Sequence, residues 1–210
     1  VLKWREQEPF VLRRDEAYIG VLIDDLITKG TEEPYRMFTS RAEYRTLLRQ
    51  DNADSRLTPL GYQLGTVTEE RMRAFEAKEA QARDFIAFIQ ELSVKPEEVN
   101  PILERYQSSP MKQGDKMQKV LSRPDVTLED FETIPAVASY IAEHHITAEV
   151  KERAEIEVKY AGYIEKEKHN ADKLSRLEHI RIPESFDYDR LTSLSFEARE
   201  KLKKIRPTTL

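Results

Sequence analysis

Thr66–Leu92, TVTEERMRAFEAKEAQARDFIAFIQEL, is the stretch on which the fold class turns. Met72, Phe75, Ala82, Phe85, Ile86 and Ile89 recur at the spacing of one helix face. Thr66 and Glu69 have the spacing of a capping box, which would open the helix there. Continued to Leu92, such a helix has roughly 25 residues and a length of about 37 Å. Glu79 interrupts the apolar seam, so the pattern is not that of a strict coiled coil.

A second long helix is expected downstream, from a Thr147 cap to about Glu178. Its apolar stripe would be Val150, Ala154, Val158, Ala161, Ile164 and Leu174. Gly162 falls in mid-helix, where glycine costs about 1 kcal/mol relative to alanine, so the sequence predicts a close helix crossing there. Between the two, Pro96, Pro101, Pro110, Gly114 and Pro124 punctuate the chain. Short helices fit near Glu97–Tyr106, Asp115–Leu121, Leu128–Thr133 and Ala136–Ala142. After the second long helix, Ile182-Pro183 breaks the chain, and Phe186 and Tyr188 read as packing anchors. Ser195 would cap a last helix to about Ile205.

Upstream of Thr66 the pattern is less regular. Val1–Pro9 is polar and reads as the end of a helix begun earlier, and Phe10–Leu12 as a short extended piece. Asp15 can cap a helix to about Lys29, closed by Gly30. Tyr18, Ile19, Leu22, Ile23, Leu26 and Ile27 would be its buried face, and Asp24-Asp25 its exposed edge. Thr58-Pro59 reads as N-cap plus first-turn proline of a short helix ending at Gly65. The expected fold is therefore mainly all-α: two long helices flanked by short ones, with a small irregular N-terminal part. Residues 1–65 form a border segment and 66–210 a helical C-terminal domain.

Composition supports this reading. The chain has 210 residues, 35% of them charged and only 6 glycines, which favours solvated helices. The net charge of −5 means that an anion site must be a local patch on an acidic body. With no cysteine there is no disulfide, thiol nucleophile or thiolate metal site. No apolar run is long enough to span a bilayer. A chain that opens on Val1 and closes on Arg206-Pro-Thr-Thr-Leu210 is expected to be a fragment of a longer protein.

The densest chemistry lies in Glu33–Pro59, EPYRMFTSRAEYRTLLRQDNADSRLTP. It holds Arg36, Arg41, Arg45, Arg49 and Arg56, together with Tyr35 and Tyr44, and no lysine. Arginine offers a planar five-donor fork that matches phosphate or carboxylate geometry. Ser40 and Glu43 have capping-box spacing, predicting a helix over Ser40–Gln50. On it Arg41, Arg45 and Arg49 would form one stripe beside Tyr44, Leu47 and Leu48. Two readings of that stripe stand open. It is a solvated basic face, or it meets a phosphate or nucleic acid, with Tyr35, Phe38 or Tyr44 stacking on an unpaired base.

No phosphate-binding glycine loop, zinc-protease motif or nucleophile elbow occurs. His144-His145, the one His pair, cannot converge on a metal if helical, since neighbours point about 100° apart. Nothing singles out a pair of carboxylates for acid and base roles. The chain does not read as a complete enzyme.

The block EAYIGVLIDDLITKGTEEPYRMFTSRAEYRTLLRQDNADSRLTPLGYQLG, with the later segments LSRPDVTLEDF and IEVKYAGYIEKE, resembles the GidA/MnmG family. The resemblance runs in order from about Glu8 to the C-terminal residue. The family's dinucleotide-binding glycine motif and its catalytic cysteines have no counterpart here. The chain therefore resembles a C-terminal part of such a protein, one that stops short of the family's last small helical module.

The resemblance implies a cytoplasmic, homodimeric parent that binds FAD and NADH. That parent would use methylene-tetrahydrofolate to install carboxymethylaminomethyl or aminomethyl groups on tRNA wobble uridines. It would work with a GTPase of the MnmE/TrmE family. It also implies that Arg36, Arg41, Arg45, Arg49, Arg56 and Tyr44 face the tRNA anticodon loop at the border of the flavin-bearing body. The alternative is a protein–protein module that docks the GTPase, with the arginine stretch as an interdomain joint. No cofactor or metal is expected on this fragment alone.

Overall fold

The computed structural model describes residues 2, 6, 8–28, 30, 34–178 and 180–208, with the backbone alone at 175 and 178. Lys29 and Glu33 lie outside the described residues, as does most of the expected helix end in Val1–Pro9. In chain order the α-helices are α1 (Tyr18–Thr28), α2 (Ala53–Gln63), α3 (Glu69–Glu91), α4 (Pro96–Arg105), α5 (Met117–Leu121), α6 (Leu128–Phe131), α7 (Pro135–Glu143), α8 (Ala148–Glu178) and α9 (Phe196–Ile205). A minimal ribbon pairs β1 (Ser93–Val94) antiparallel to β2 (Asp115–Lys116), with Ser93 opposite Lys116. The mainly helical architecture with two long helices is thus present. No helix among the described residues is long and apolar enough to cross a membrane.

The chain divides into two compact units, Val1–Ile164 and Glu165–Leu210. In the first, α3 buries Ala82, Phe85 and Ile89 fully. Around them pack Val99, Ile102 and Leu103 of α4, Met117, Val120 and Leu121 of α5, Phe131 of α6, Val137 of α7, and Val150 and Ala154 of α8. Each such side chain stabilises the fold by about 1.5–3 kcal/mol relative to exposure. An aromatic run closes one side, with Phe88 stacked on Tyr140 at 4.1 Å and the His144 ring tilted by 36° against Tyr140 at 4.2 Å. In the second unit, Ser195 caps α9 by accepting the Ala198 N–H, and Phe186 meets the buried Tyr188 edge-on at 5.1 Å.

Several expectations are corrected. α3 starts two residues later than Thr66: Thr68 is its N-cap and accepts from the Arg71 N–H. Thr147 does cap α8, accepting from the Val150 N–H. α2 begins at Ala53 rather than after Thr58, because the Asn52 carbonyl already takes the Arg56 N–H at 3.2 Å. Pro59 then sits inside the helix, where it leaves the Ser55 carbonyl without its intrahelical donor. Gly65, at φ 77°, follows the helix end. The α8 stripe is buried at Val150, Ala154 and Val158 but exposed at Ala161 and Leu174. Among the described residues nothing lies within 4 Å of a Cβ built on Gly162, and none of their helices crosses there.

The largest inversion is in α1. Its interior residues are Gly20, Val21 and Asp25, whereas Tyr18, Ile19, Ile23, Leu26 and Ile27 are exposed, Ile27 by 76%. Asp15 does not cap it. That carboxylate pairs with the Arg13 guanidinium, and the Arg13 carbonyl takes the Ala17 N–H. Gly20 is needed because a Cβ there would stand 2.2 Å from the Arg13 carbonyl oxygen.

Candidate functional site

The arginine stretch is not a helix. After a single 3-10 turn at Thr39–Arg41 the chain passes through an extended Ala42 and continues in turns to Gln50. The reason lies twenty-seven residues upstream, in Arg14. Its guanidinium takes the Arg41 carbonyl at 3.0 Å, the acceptor an Arg45 N–H would need in a helix. It also holds the Glu43 carboxylate at 2.8 and 2.9 Å. Glu43 therefore cannot turn back to the Ser40 N–H, and the capping box fails.

Arg14 is the centre of an ionic knot. It also binds Asp24 and Asp25, each at 2.8 Å. Asp25 is 1% exposed, and its second oxygen accepts from the Tyr35 hydroxyl at 2.9 Å and from Arg41 at 3.4 Å. The expected exposed acidic edge of α1 is thus half wrong, for Asp25 is its most deeply placed charge. Burial works to lower the Arg14 pKa, but the three carboxylates outweigh it and the net shift is upward. Burial and the bond to Asp25 push the Tyr35 phenol up. Val21, Ala42 and Leu48 form the small apolar cluster beneath.

Without the helix there is no single stripe, and the arginines fall into two groups. Arg36 is exposed over the Phe38 ring at 5.3 Å, and Arg41 lies over Tyr35 at 5.0 Å while facing Asp25. Tyr44 is half-buried and its carbonyl takes the Leu47 and Leu48 N–H groups. Arg45, Arg49 and Arg56, by contrast, line one open cleft of about 990 Å³. Arg45 is exposed and has no ion-pair or hydrogen-bond partner among the described residues. Arg49 is bound by Asp51 through two nitrogens and by the Thr46 carbonyl at 2.7 Å. Arg56 donates to Asn52 Oδ1 and to the carbonyls of Glu16 and Arg49. Those acceptors are neutral, so among the described residues it makes no ion pair, although Asp51 favours its charge from nearby. Burial, with the neighbouring Arg49, pulls its pKa down. Among the described residues no carboxylate lines the cleft.

The rest of the cleft wall is mainly apolar and aromatic, Ile19, Leu48, Leu57, Tyr18 and Tyr160 standing beside the polar Thr46 and Gln50. Tyr18 had been read as core. Tyr160 stands outside the apolar stripe that the sequence predicts for this helix, and no local pattern brings α8 to the arginines. The signal was there in kind, since an exposed tyrosine on a helix that buries Val158 faces outward.

A second ionic cluster joins α2, α3 and α8. Arg153, 8% exposed, binds the Glu79 carboxylate through two nitrogens and Glu157 at 2.9 Å. Ser55 donates to Glu79 at 2.7 Å, and Lys78 binds Asp54 at 2.8 Å and Glu149. This explains the charged break in the α3 seam. Among the described residues no His, Cys, Asp or Glu cluster could hold a metal ion, and the His144 ring lies tilted against Tyr140.

Residues 69–168 match the family described as tRNA modifying enzyme MnmG/GidA C-terminal helical domain, and residues 170–210 its C-terminal helical bundle. The tRNA uridine 5-carboxymethylaminomethyl modification enzyme MnmG of Christiangramia forsetii is 60% identical over 209 residues, all of this chain and 34% of that protein. The protein of the same description from Flavobacterium johnsoniae is 60% identical over 96% of this chain and 32% of its own. Aquifex aeolicus GidA, in its form II crystal, superposes with a TM-score of 0.69 at 38% identity, over 99% of this chain and 32% of that one. The chain thus spans about a third of the length of the curated relatives it matches.

Proposed function

The chain belongs to the MnmG/GidA family, as a stretch of its C-terminal helical part, and from that premise we propose that it is the tRNA- and partner-binding region of an enzyme that modifies C5 of the wobble uridine. It is inert alone. Residues 1–65 border a flavin-bearing body, and residues 66–210 form the helical domain. FAD and NADH bind outside this chain, which carries no glycine-rich strand-to-helix turn for a pyrophosphate. The parent is a cytoplasmic homodimer that works with an MnmE/TrmE-type GTPase.

One observation carries the reading: Arg45, Arg49 and Arg56 converge on a cleft that no carboxylate lines among the described residues. On an acidic chain that is a local anion site, suited to the phosphates of an anticodon loop. Arg36, Arg41 and Tyr44 remain in the proposal as outer contacts. Substituting Arg45→Ala together with Arg49→Ala in the full-length protein weakens tRNA binding and lowers its salt slope by about one to two. Arg45 supplies most of that change, because Asp51 already neutralises Arg49. Unchanged affinity and slope would sink the assignment.

A second reading has its own support. The exposed apolar residues of α1 and the engagement of Arg14 and Arg41 by Asp25 suit an interdomain joint, with the long helices docking the GTPase. Pull-down of the GTPase by a protein that binds no RNA favours it over the first.

A further inference from the structure

We propose that the arginine cleft holds one unpaired nucleotide of an RNA strand, its base on the ring of Tyr160 and its phosphate on Arg45. The inference rests on the tRNA-binding reading and adds what the cleft selects and which residue does it.

The cleft is chemically divided. Arg45 is exposed and uncommitted among the described residues, and Arg56, bonded only to neutral acceptors, lines the same cleft. The same cleft is lined by Tyr160, half exposed at 50%, and Tyr18, at 38%. Ile19, Leu48 and Leu57 add apolar wall, and Thr46 and Gln50 add polar groups. A phosphate alone would need no aromatic wall, and an apolar peptide would leave two arginines facing nothing. A nucleotide satisfies both halves at once. A base has a flat π-face for tyrosine, and its phosphate accepts from guanidinium.

Size and topology agree. At about 990 Å³ the cleft is at the upper end of the roughly 300–1,000 Å³ of ordinary ligand pockets, ample for one nucleotide with its flanking backbone. Paired bases are stacked within a duplex and cannot reach such a wall, so the occupant is unpaired. One turn further along α8, Tyr163 is 69% exposed with its ring centroid 6.4 Å from that of Tyr160. It gives a following base a second surface. Among the described residues nothing lies within 4 Å of the place a Cβ on Gly162 would take, between these two positions in the helix.

The test is a fluorescence-anisotropy titration of the full-length protein with two labelled probes over a range of salt. One is a short single-stranded oligoribonucleotide, the other the same ribose-phosphate strand with its bases removed. Tyr160→Ala is expected to weaken the intact strand about tenfold, in the range of one base–aromatic stack, and to leave the abasic strand and the salt slope unchanged. Tyr160→Phe, which keeps the ring, binds as the parent does. Arg45→Ala weakens both strands alike and lowers the slope by about one. Equal affinity of the parent and Tyr160→Ala for the intact strand, or an equal loss on both strands, overturns the stacking role while an effect of Arg45→Ala upholds the RNA reading. Indifference of both strands to Arg45→Ala removes that reading and this inference with it.

Discussion

The first unit is held together in two different ways. Around Phe85 and Phe131 the interior is a continuous apolar cluster contributed by six helices. Around Asp25 it is three small or medium side chains, Val21, Ala42 and Leu48, over a knot of charges. The apolar cluster is non-directional, and its helices can be read from periodicity alone. The knot is directional. It decides which carbonyl is taken and which acid is buried, and it therefore overrides local helix signals. That difference places the irregular backbone, and with it the arginine cleft, where bonding is ionic rather than apolar.

Substitutions can break the contrast. Phe85→Ala, at a fully buried site, should cost about 4 kcal/mol of unfolding free energy by urea denaturation, through lost burial plus the cavity left behind. The loss should appear throughout α3 to α7 in amide exchange. Asp25→Ala should cost about 2 kcal/mol, since it removes the buried acceptor shared by Arg14, Arg41 and Tyr35 while Asp24 and Glu43 still hold Arg14. Its effect should be confined to faster exchange in α1 and the 41–48 turns. Equal loss of protection around Phe131 would show that the knot and the core are one cooperative element.

The cluster at Glu79 lies between these extremes, an ion pair set into an apolar seam. Burial alone would raise the Glu79 carboxyl, but Arg153 and Ser55 outweigh it and hold it below its ordinary 4.5. Asp54 is likewise held below 3.8 despite burial, mainly by Lys78. A depressed folded pKa contributes stability that is complete above the unfolded value and is lost as pH falls through the folded one. Glu79→Gln should therefore cost about 2 kcal/mol at neutral pH, and the gap to the parent should close below about pH 4. A gap that stays constant into acid would assign the loss to packing.

The same contrast explains what could be read beforehand. Met72 to Ile89 specify α3 because the partners that bury its face follow within the chain, and α4, α7, α8 and α9 were placed within a residue or two. The α1 pattern is as regular, yet Ile23 and Ile27 are exposed, because periodicity reports a face and not what covers it. Ser40-Arg41-Ala42-Glu43 had all the local marks of a helix start and lost them to Arg14, at a distance no window spans. Of the cleft, the arginine positions were legible as candidates. Their division into two groups was not, and Tyr160, more than a hundred residues from Arg45, could join them only through the fold.

Two helical glycines make the smallest and cleanest comparison. Gly20 is required, since any Cβ would collide with the Arg13 carbonyl that turns the chain into α1. Gly162 sits in an exposed stretch of α8 with open space where its Cβ would be. A close crossing would make Gly162→Ala destabilising. The observed open space leaves only the helix-propensity term, so the substitution should stabilise α8 by about 0.5–1 kcal/mol. The readout is the urea midpoint of the full-length protein alongside that of the isolated chain. Stabilisation of the chain with destabilisation of the longer protein would mean that this face, beside Tyr160 and Tyr163, is pressed against another surface there.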